Sequence, residues 1–185
     1  MREVAFAGGA VDHRGLRDAL GRFATGVTVI ATRTPAGRTE GMTANSFSAV
    51  SLDPPLVLWS IRRSAPSLAA FLEAATFAVS VLAEGQAELS HRFATPSADK
   101  FAGVPVVEGL GGCPLIAGAV ATFECRLRAT CDGGDHLVLI GEVLRAAYDE
   151  APSPLVFFAG RYARAVAVPS SVGDRDYASL WDGLG

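Results

Sequence analysis

The sequence predicts a mostly β protein with peripheral helices, built around a closed or nearly closed antiparallel barrel. Short runs rich in β-branched and aromatic residues recur along the chain, as in Val27-Thr-Val-Ile30 and Thr76-Phe-Ala-Val-Ser-Val81. Only brief helical patterns separate them, so the regular alternation of a doubly wound sheet is missing. Asp132-Gly-Gly-Asp135 lies between two long strand-like segments and is a strong hairpin signal.

Each element follows from local pattern. Residues 1–12 read as a loose arm rich in Gly and Ala. Leu16, Leu20 and Phe23 fall at helical spacing, which predicts a short amphipathic helix over 13–24. Residues 26–32 predict a strand, and Thr34-Pro-Ala-Gly37 supplies turn chemistry after it. A strand over 42–52 ends at Asp53-Pro54-Pro55, because proline cannot donate to a ladder. The apolar run 56–61 predicts a central strand. Ser64 and the proline after it open a helix that reaches Ala74, with Leu68, Phe71 and Leu72 inward. A strand over 76–82, a helix over 86–93, strands over 119–131 and 136–147, and a last strand over 154–162 complete a domain spanning 13–168. The tail, 169–185, turns small and polar, with Tyr177, Leu180 and Trp181 as docking points.

Composition bounds the function. A chain of 185 residues, half of them hydrophobic and 19% charged, is expected to fold as one compact soluble domain. No apolar run approaches the roughly 18–20 residues of a membrane span, and the start lacks a signal-peptide core. No membrane association and a cytoplasmic location are therefore expected. A net charge of −3 without a basic stripe argues against nucleic acid as a partner. Cys113, Cys125 and Cys131 form no CxxC pair and read as buried small hydrophobes in a reducing compartment. With the histidines scattered, no metal site is expected; His13 and His91 read as surface helix residues. Glu124 and Glu142 read as ion pairs at a barrel rim or a dimer interface. There is no P-loop and no GxSxG elbow. Gly109-Leu-Gly111 fails as a dinucleotide fingerprint because Pro114 takes the third glycine position.

The most informative stretch is Gly41 to Pro55. Thr43, Asn45, Ser46 and Ser48 place small polar groups where a buried strand carries Val or Ile, and Asn45 is the only asparagine in the chain. Such a run suits a flat polar ligand resting against a sheet.

The same letters carry a resemblance. Phe23-Ala-Thr-Gly-Val-Thr-Val-Ile30, Met42-Thr-Ala-Asn-Ser-Phe47 and Val50-Ser-Leu-Asp-Pro-Pro55 resemble the short-chain flavin reductases. So do Glu124-Cys125, Gly134-Asp135-His136, Ile140-Gly-Glu-Val143 and Gly160-Arg-Tyr162, all in order over residues 15–165. The resemblance implies a flavin-binding split β-barrel of antiparallel Greek-key type, homodimeric, using NADH or NADPH to reduce FMN or FAD. It further implies that reduced flavin passes to a partner flavin-dependent monooxygenase. Such a protein needs no acid–base triad, because hydride transfer is the chemistry of the cofactors. Two alternatives stay open: a tightly held flavin acting directly on a small molecule, and a flavin carrier or sensor without turnover.

Candidate site residues follow from the residue types and this resemblance. Thr43, Ala44, Asn45 and Ser46 are expected to hydrogen-bond the isoalloxazine edge and ribityl chain through side chains or backbone. Alternation puts Thr43 and Asn45 on one face and Ser46 on the other unless a bulge intervenes. Ser60, Ile61, Arg62 and Arg63, with Ser67 and the helix start, form a candidate phosphate cradle. Phe93 and Lys100 resemble a family segment near the flavin phosphate or adenine end. Tyr162 either stacks on the flavin or packs in the core with a satisfied hydroxyl. His136 is the candidate catalytic residue, with an implied place beside the nicotinamide; the alternative is a histidine closing the turn against Asp135.

Overall fold

The structure, a computed structural model, describes residues 12–166. Helix α1 (His13–Leu20) leads into a two-residue strand β1 (Thr25–Gly26), then β2 (Thr28–Arg33) and β3 (Thr39–Ala44). After a three-residue corner come β4 (Ser48–Leu52), β5 (Pro55–Arg62), helix α2 (Leu68–Glu73) and β6 (Thr76–Val81). Helix α3 (Ala87–Ala94) precedes a small hairpin, β7 (Val106–Glu108) and β8 (Pro114–Ile116). The long hairpin β9 (Ala121–Gly133) and β10 (His136–Tyr148) follows, and then β11 (Leu155–Phe158) and β12 (Arg161–Arg164).

Seven strands form one antiparallel sheet in the order β3-β2-β6-β9-β10-β5-β4. Its two edge strands, β3 and β4, are joined only by Asn45-Ser46-Phe47. Three residues cannot span an open seven-stranded sheet, so the sheet curls until its edges meet. The expected mostly β class with an antiparallel split barrel is the one observed. The β5-to-β6 connection, carrying α2, passes across β9 and β10, the nonlocal step of Greek-key wiring.

Two cores explain the sequence pattern. Inside the barrel, Ile30, Trp59, Ile61, Phe71, Phe77 and Leu139 pack together. On the outer side, Val27, Val29, Leu82, Phe93, Ile116 and Leu155 pack under α3 and the small hairpin. Strand β2 is therefore covered on both faces, which is why its residues form a continuous apolar run. Where β10 shifts register at Ile140/Gly141, the ring of Phe77 fills the space a side chain would need. A Cβ at Gly141 would lie 2.3 Å from Phe77 Cζ and 3.0 Å from Cys125 Cβ. Glu124, buried on β9, accepts from the Leu110 N–H and pairs with Arg145 Nε at 2.7 Å. Glu142 pairs with Arg126 at 2.9 Å, so both glutamates have partners within the chain.

Several expectations are corrected. Helix α1 stops at Leu20, and Leu20 and Phe23 are 64% and 77% exposed, because the helix buries only Gly15 fully. Gly26 belongs to the separate sheet β1-β11-β12, not to β2. The single strand over 42–52 is two strands, because the chain crosses there from one sheet edge to the other. Strand β5 is not central but lies next to the edge strand β4. Leu72 faces solvent. The last strand over 154–162 is a hairpin, turned by Ala159 and Gly160, whose φ angles are +50° and +77°. Cys131 is exposed, whereas Cys113 and Cys125 are buried; burial pushes the Cys125 thiol up to about 12. The hairpin β7–β8 was not foreseen. Most of the arm, and Tyr177, Leu180 and Trp181 in the tail, lie outside the described residues.

Gly141→Ala is expected to lower unfolding free energy by about 2 kcal/mol, as overpacking against the buried Phe77 ring. Urea denaturation measures it, and an unchanged midpoint would contradict the close packing at the bulge.

Candidate functional site

The site is a consequence of strand alternation. On β5, Trp59 and Ile61 point into the barrel and are fully buried, so Ser60 and Arg62 point out. On β10, Leu139 points in, and His136 and Val138 point out. Register places Val138 opposite Ser60 and His136 opposite Arg62. These four side chains therefore share one outer face, and they line a cleft of about 520 Å³. The end of β3 and the corner form the facing wall, through Thr43, Ala44, Asn45 and Ser46.

The polar residues of that wall divide by what their hydrogens already do. The Ser46 hydroxyl accepts from the Ser60 N–H at 2.9 Å and donates to the Ser60 carbonyl at 3.2 Å, replacing a ladder rung where the backbone turns away. Thr43 Oγ1 donates to the Ser90 carbonyl on α3 at 2.6 Å, which leaves it lone pairs only for any further partner. Ala44 is buried, and its carbonyl accepts from Thr28 Oγ1 at 2.7 Å. Asn45 is exposed, since the strand ends at Ala44 and alternation ends with it. Among the described residues, the side chains of Asn45, Ser60 and Arg62 make no internal hydrogen bond, so they are free to meet a ligand.

Not every expected residue reaches this cleft. Ile61 points into the core and offers only its backbone. Arg63 is turned away: it pairs with Asp132 at 2.7 Å and donates from Nε to the Gly134 carbonyl at 2.9 Å. Arg62 alone of the pair lines the cleft. Helix α2 has six residues and no side-chain cap, so the expected phosphate cradle reduces to Arg62 on that side. Tyr162 does not line the cleft. Its hydroxyl donates to Ser90 Oγ at 2.8 Å and its ring meets Phe157 edge-on, which is the packing alternative.

A second cleft of about 290 Å³ continues from the first along Met42, Thr43 and Ala65. Ser67, Lys100 and, at its depth, Phe93 line it. Phe93 is fully buried and stacks edge-on with Phe101. Lys100 donates to the carbonyls of Phe93 at 2.9 Å and Gly41 at 3.2 Å, tying the end of α3 to β3. Burial lowers its pKa against the opposing pull of Glu40.

His136 stands at the first position of β10, with Nδ1 2.7 Å from Asp135 Oδ1. That bond holds the Asp135 carboxyl below the usual carboxylate range. Sequence reading missed Met42, Ala65, Gly133 and Val138 as lining residues. Val138 was accessible to it, being two positions from His136 on the same face. Ala65 was not, because it arrives by tertiary packing. Among the described residues no group of three or more metal-ligating side chains gathers. No described helix is long and apolar enough to cross a membrane.

An antiparallel barrel split at one corner, with a cleft floored by a sheet face and lined by polar side chains, can receive a planar polar ring. The residues fit a flavin in that respect: a sheet face as floor, Asn45 and Ser60 beside it, and a cation, Arg62, with no internal partner among the described residues. The flavin reductase like domain matches residues 20–165, and the chain belongs to that family. It is 47% identical over 162 residues to the FMN reductase (NADH) SmoA of Agrobacterium fabrum, covering 88% of this chain and 91% of that protein. It is 40% identical to the flavin-dependent monooxygenase reductase subunit HsaB of Rhodococcus jostii, over 85% of this chain and 80% of that one. The structure of the Streptomyces globisporus NADH:FAD oxidoreductase SgcE6, in complex with NAD and FAD fragments, superposes with a TM-score of 0.83 at 41% identity. That match covers 90% of this chain and 98% of the other. The chain spans only 42% and 57% of two longer relatives from Rhizobium meliloti.

Ser46→Ala is expected to cost about 1–2 kcal/mol of stability, because it strands the Ser60 N–H. Asn45→Ala, with no internal bond to lose, should stay within about 0.5 kcal/mol of the parent. Paired denaturation curves test the contrast, and equal effects would refute the division of roles.

Proposed function

We propose that this chain is an NAD(P)H-dependent flavin reductase that moves hydride from NADH or NADPH to FMN or FAD and releases the reduced flavin to a partner monooxygenase. The observation that carries this reading is the outer face of β5 and β10, where Ser60, Arg62 and His136 meet Asn45 in one cleft. Its family membership and the names of its relatives support the same reading. A bound flavin supplies the hydride-accepting ring, and the nicotinamide supplies the hydride.

The protein's work is positioning. Asn45, the Ser60 hydroxyl and the backbone of Ala44 and Ser46 hold the ring edge, while Thr43 offers an acceptor. Arg62 presents its guanidinium to the cleft opposite His136. Lys100, with Ser67 and Phe93 in the second cleft, serves the phosphate or adenine end. His136 lies at the mouth, on the nicotinamide side. Leu144 and Tyr148, 46% and 77% exposed on β10, support a homodimer that covers them. A cytoplasmic location accords with partners that are soluble nucleotides.

The protein should purify nearly colourless and oxidise nicotinamide only when FMN or FAD is added, in a steady-state assay crossing both flavins with both nicotinamides. A yellow protein that needs a second substrate would overturn the reading, as would one that binds flavin without consuming nicotinamide. His136→Ala should raise the nicotinamide KM by about tenfold, the loss of roughly one hydrogen bond, with flavin affinity unchanged. Stopped-flow reduction at parental rates and parental KM would remove His136 from the site.

A further inference from the structure

The turn before His136 is braced more heavily than an exposed hairpin tip requires. Arg63 donates from its N–H to the Asp135 carbonyl at 3.0 Å and from Nε to the Gly134 carbonyl at 2.9 Å. Its guanidinium also pairs with Asp132, whose other oxygen accepts from the Gly134 N–H at 2.8 Å. Gly134 takes the left-handed conformation, φ +74°, that such a tight reversal needs. The product of this bracing is the placement of one group, the Asp135 carboxylate, against Nδ1 of His136.

We propose that Asp135 is a positioning residue for His136, fixing the imidazole so that Nε2 faces the cleft as a hydrogen-bond acceptor. The inference rests on the reading of His136 as a nicotinamide-side residue. An ionised carboxylate only accepts, so Nδ1 must carry the hydrogen, and the neutral ring then holds its lone pair on Nε2. The other tautomer would set a lone pair against the carboxylate. The charged groups facing His136 are few: Arg62 across the register from β5, and Asp135 on its own turn. Arg63 and Asp132 are paired with each other.

This arrangement specifies the chemistry it recognises. Nε2 accepts and Arg62 only donates, and the two stand opposite each other at the cleft. A primary carboxamide matches that pair, its NH2 toward Nε2 and its carbonyl toward the guanidinium. Dihydronicotinamide carries such a group on its ring, next to the carbon that gives up hydride. Orientation of the donor ring is thereby set without any proton transfer by His136.

Asp135 is 79% exposed at its side chain, so Asp135→Ala leaves the barrel intact. The full chain is assayed with NADH and with its reduced 3-acetylpyridine analogue, in which a methyl group replaces the carboxamide NH2. The parent should favour NADH, and Asp135→Ala and His136→Ala should each erode that preference by about fivefold, the worth of one hydrogen bond. Asp135→Ala added to His136→Ala should change nothing further, since the first acts through the second. Nitrogen-15 NMR of His136 should report hydrogen on Nδ1 in the parent and a shifted tautomer balance in Asp135→Ala. If His136→Ala loses the preference while Asp135→Ala keeps both preference and tautomer, the positioning role is wrong and the reading of His136 stands. If His136→Ala keeps the preference, that reading fails and takes the recognition of the carboxamide with it; the nitrogen spectrum still decides whether Asp135 sets the tautomer.

Discussion

The corner Asn45-Ser46-Phe47 is the constraint on which the rest of the structure depends. A seven-stranded sheet whose first and last strands are consecutive in sequence has to roll up, and three residues leave no slack in how it does so. Backbone pairing cannot continue through the corner, because the chain is changing edges there. Ser46 bridges the gap by giving one hydroxyl to both the N–H and the carbonyl of Ser60. The split in the barrel is thus held by a side chain standing in for a ladder rung. The same corner supplies the wall of the cleft, so closing the barrel and building the site are one event.

Alternation does the remaining division of labour. Because Trp59 and Ile61 fill the barrel, Ser60 and Arg62 must face outward; because Leu139 fills it from β10, His136 and Val138 must as well. A slip of one residue would bury Arg62 and expose Trp59, which is prohibitive on hydrophobic and charge grounds alike. Core packing therefore specifies the register of the functional face. Gly141 belongs to the same logic: the bulge beside it reconciles the long β9–β10 ribbon with the Phe77 ring inside. The second core, under α3, fixes the other wall, where Thr43 is tied to Ser90 and Lys100 to Gly41.

A hydride-transfer protein of this kind has little covalent work to do, and its residues are distributed accordingly. Groups that hold the fold have their hydrogen bonds spent internally, as Ser46, Thr43, Arg63 and Tyr162 do. Among the described residues, Asn45, Ser60 and Arg62 line the cleft with side chains that make no internal hydrogen bond. Residue type alone does not separate these sets, since both contain hydroxyls and guanidinia. Arg62 and Arg63 are adjacent and chemically identical, yet one faces the cleft and the other braces the Asp132–Asp135 turn.

By itself the sequence determined the β-rich class, the Asp132–Asp135 hairpin, the chemical character of the 43–46 stretch and the position of His136, because turn chemistry, alternation and small polar runs are local properties. It also carried the family resemblance, since ordered motifs survive in one dimension. Only the tertiary structure decided that residues 42–52 are two strands on opposite edges of one sheet, that Ile61 faces inward, that Arg63 braces the Asp132–Asp135 turn while Tyr162 packs on Phe157, and that Ala65 joins the cleft. Each of those depends on which strand lies beside which. Pairing partners distant in the chain set it, and no local pattern encodes it.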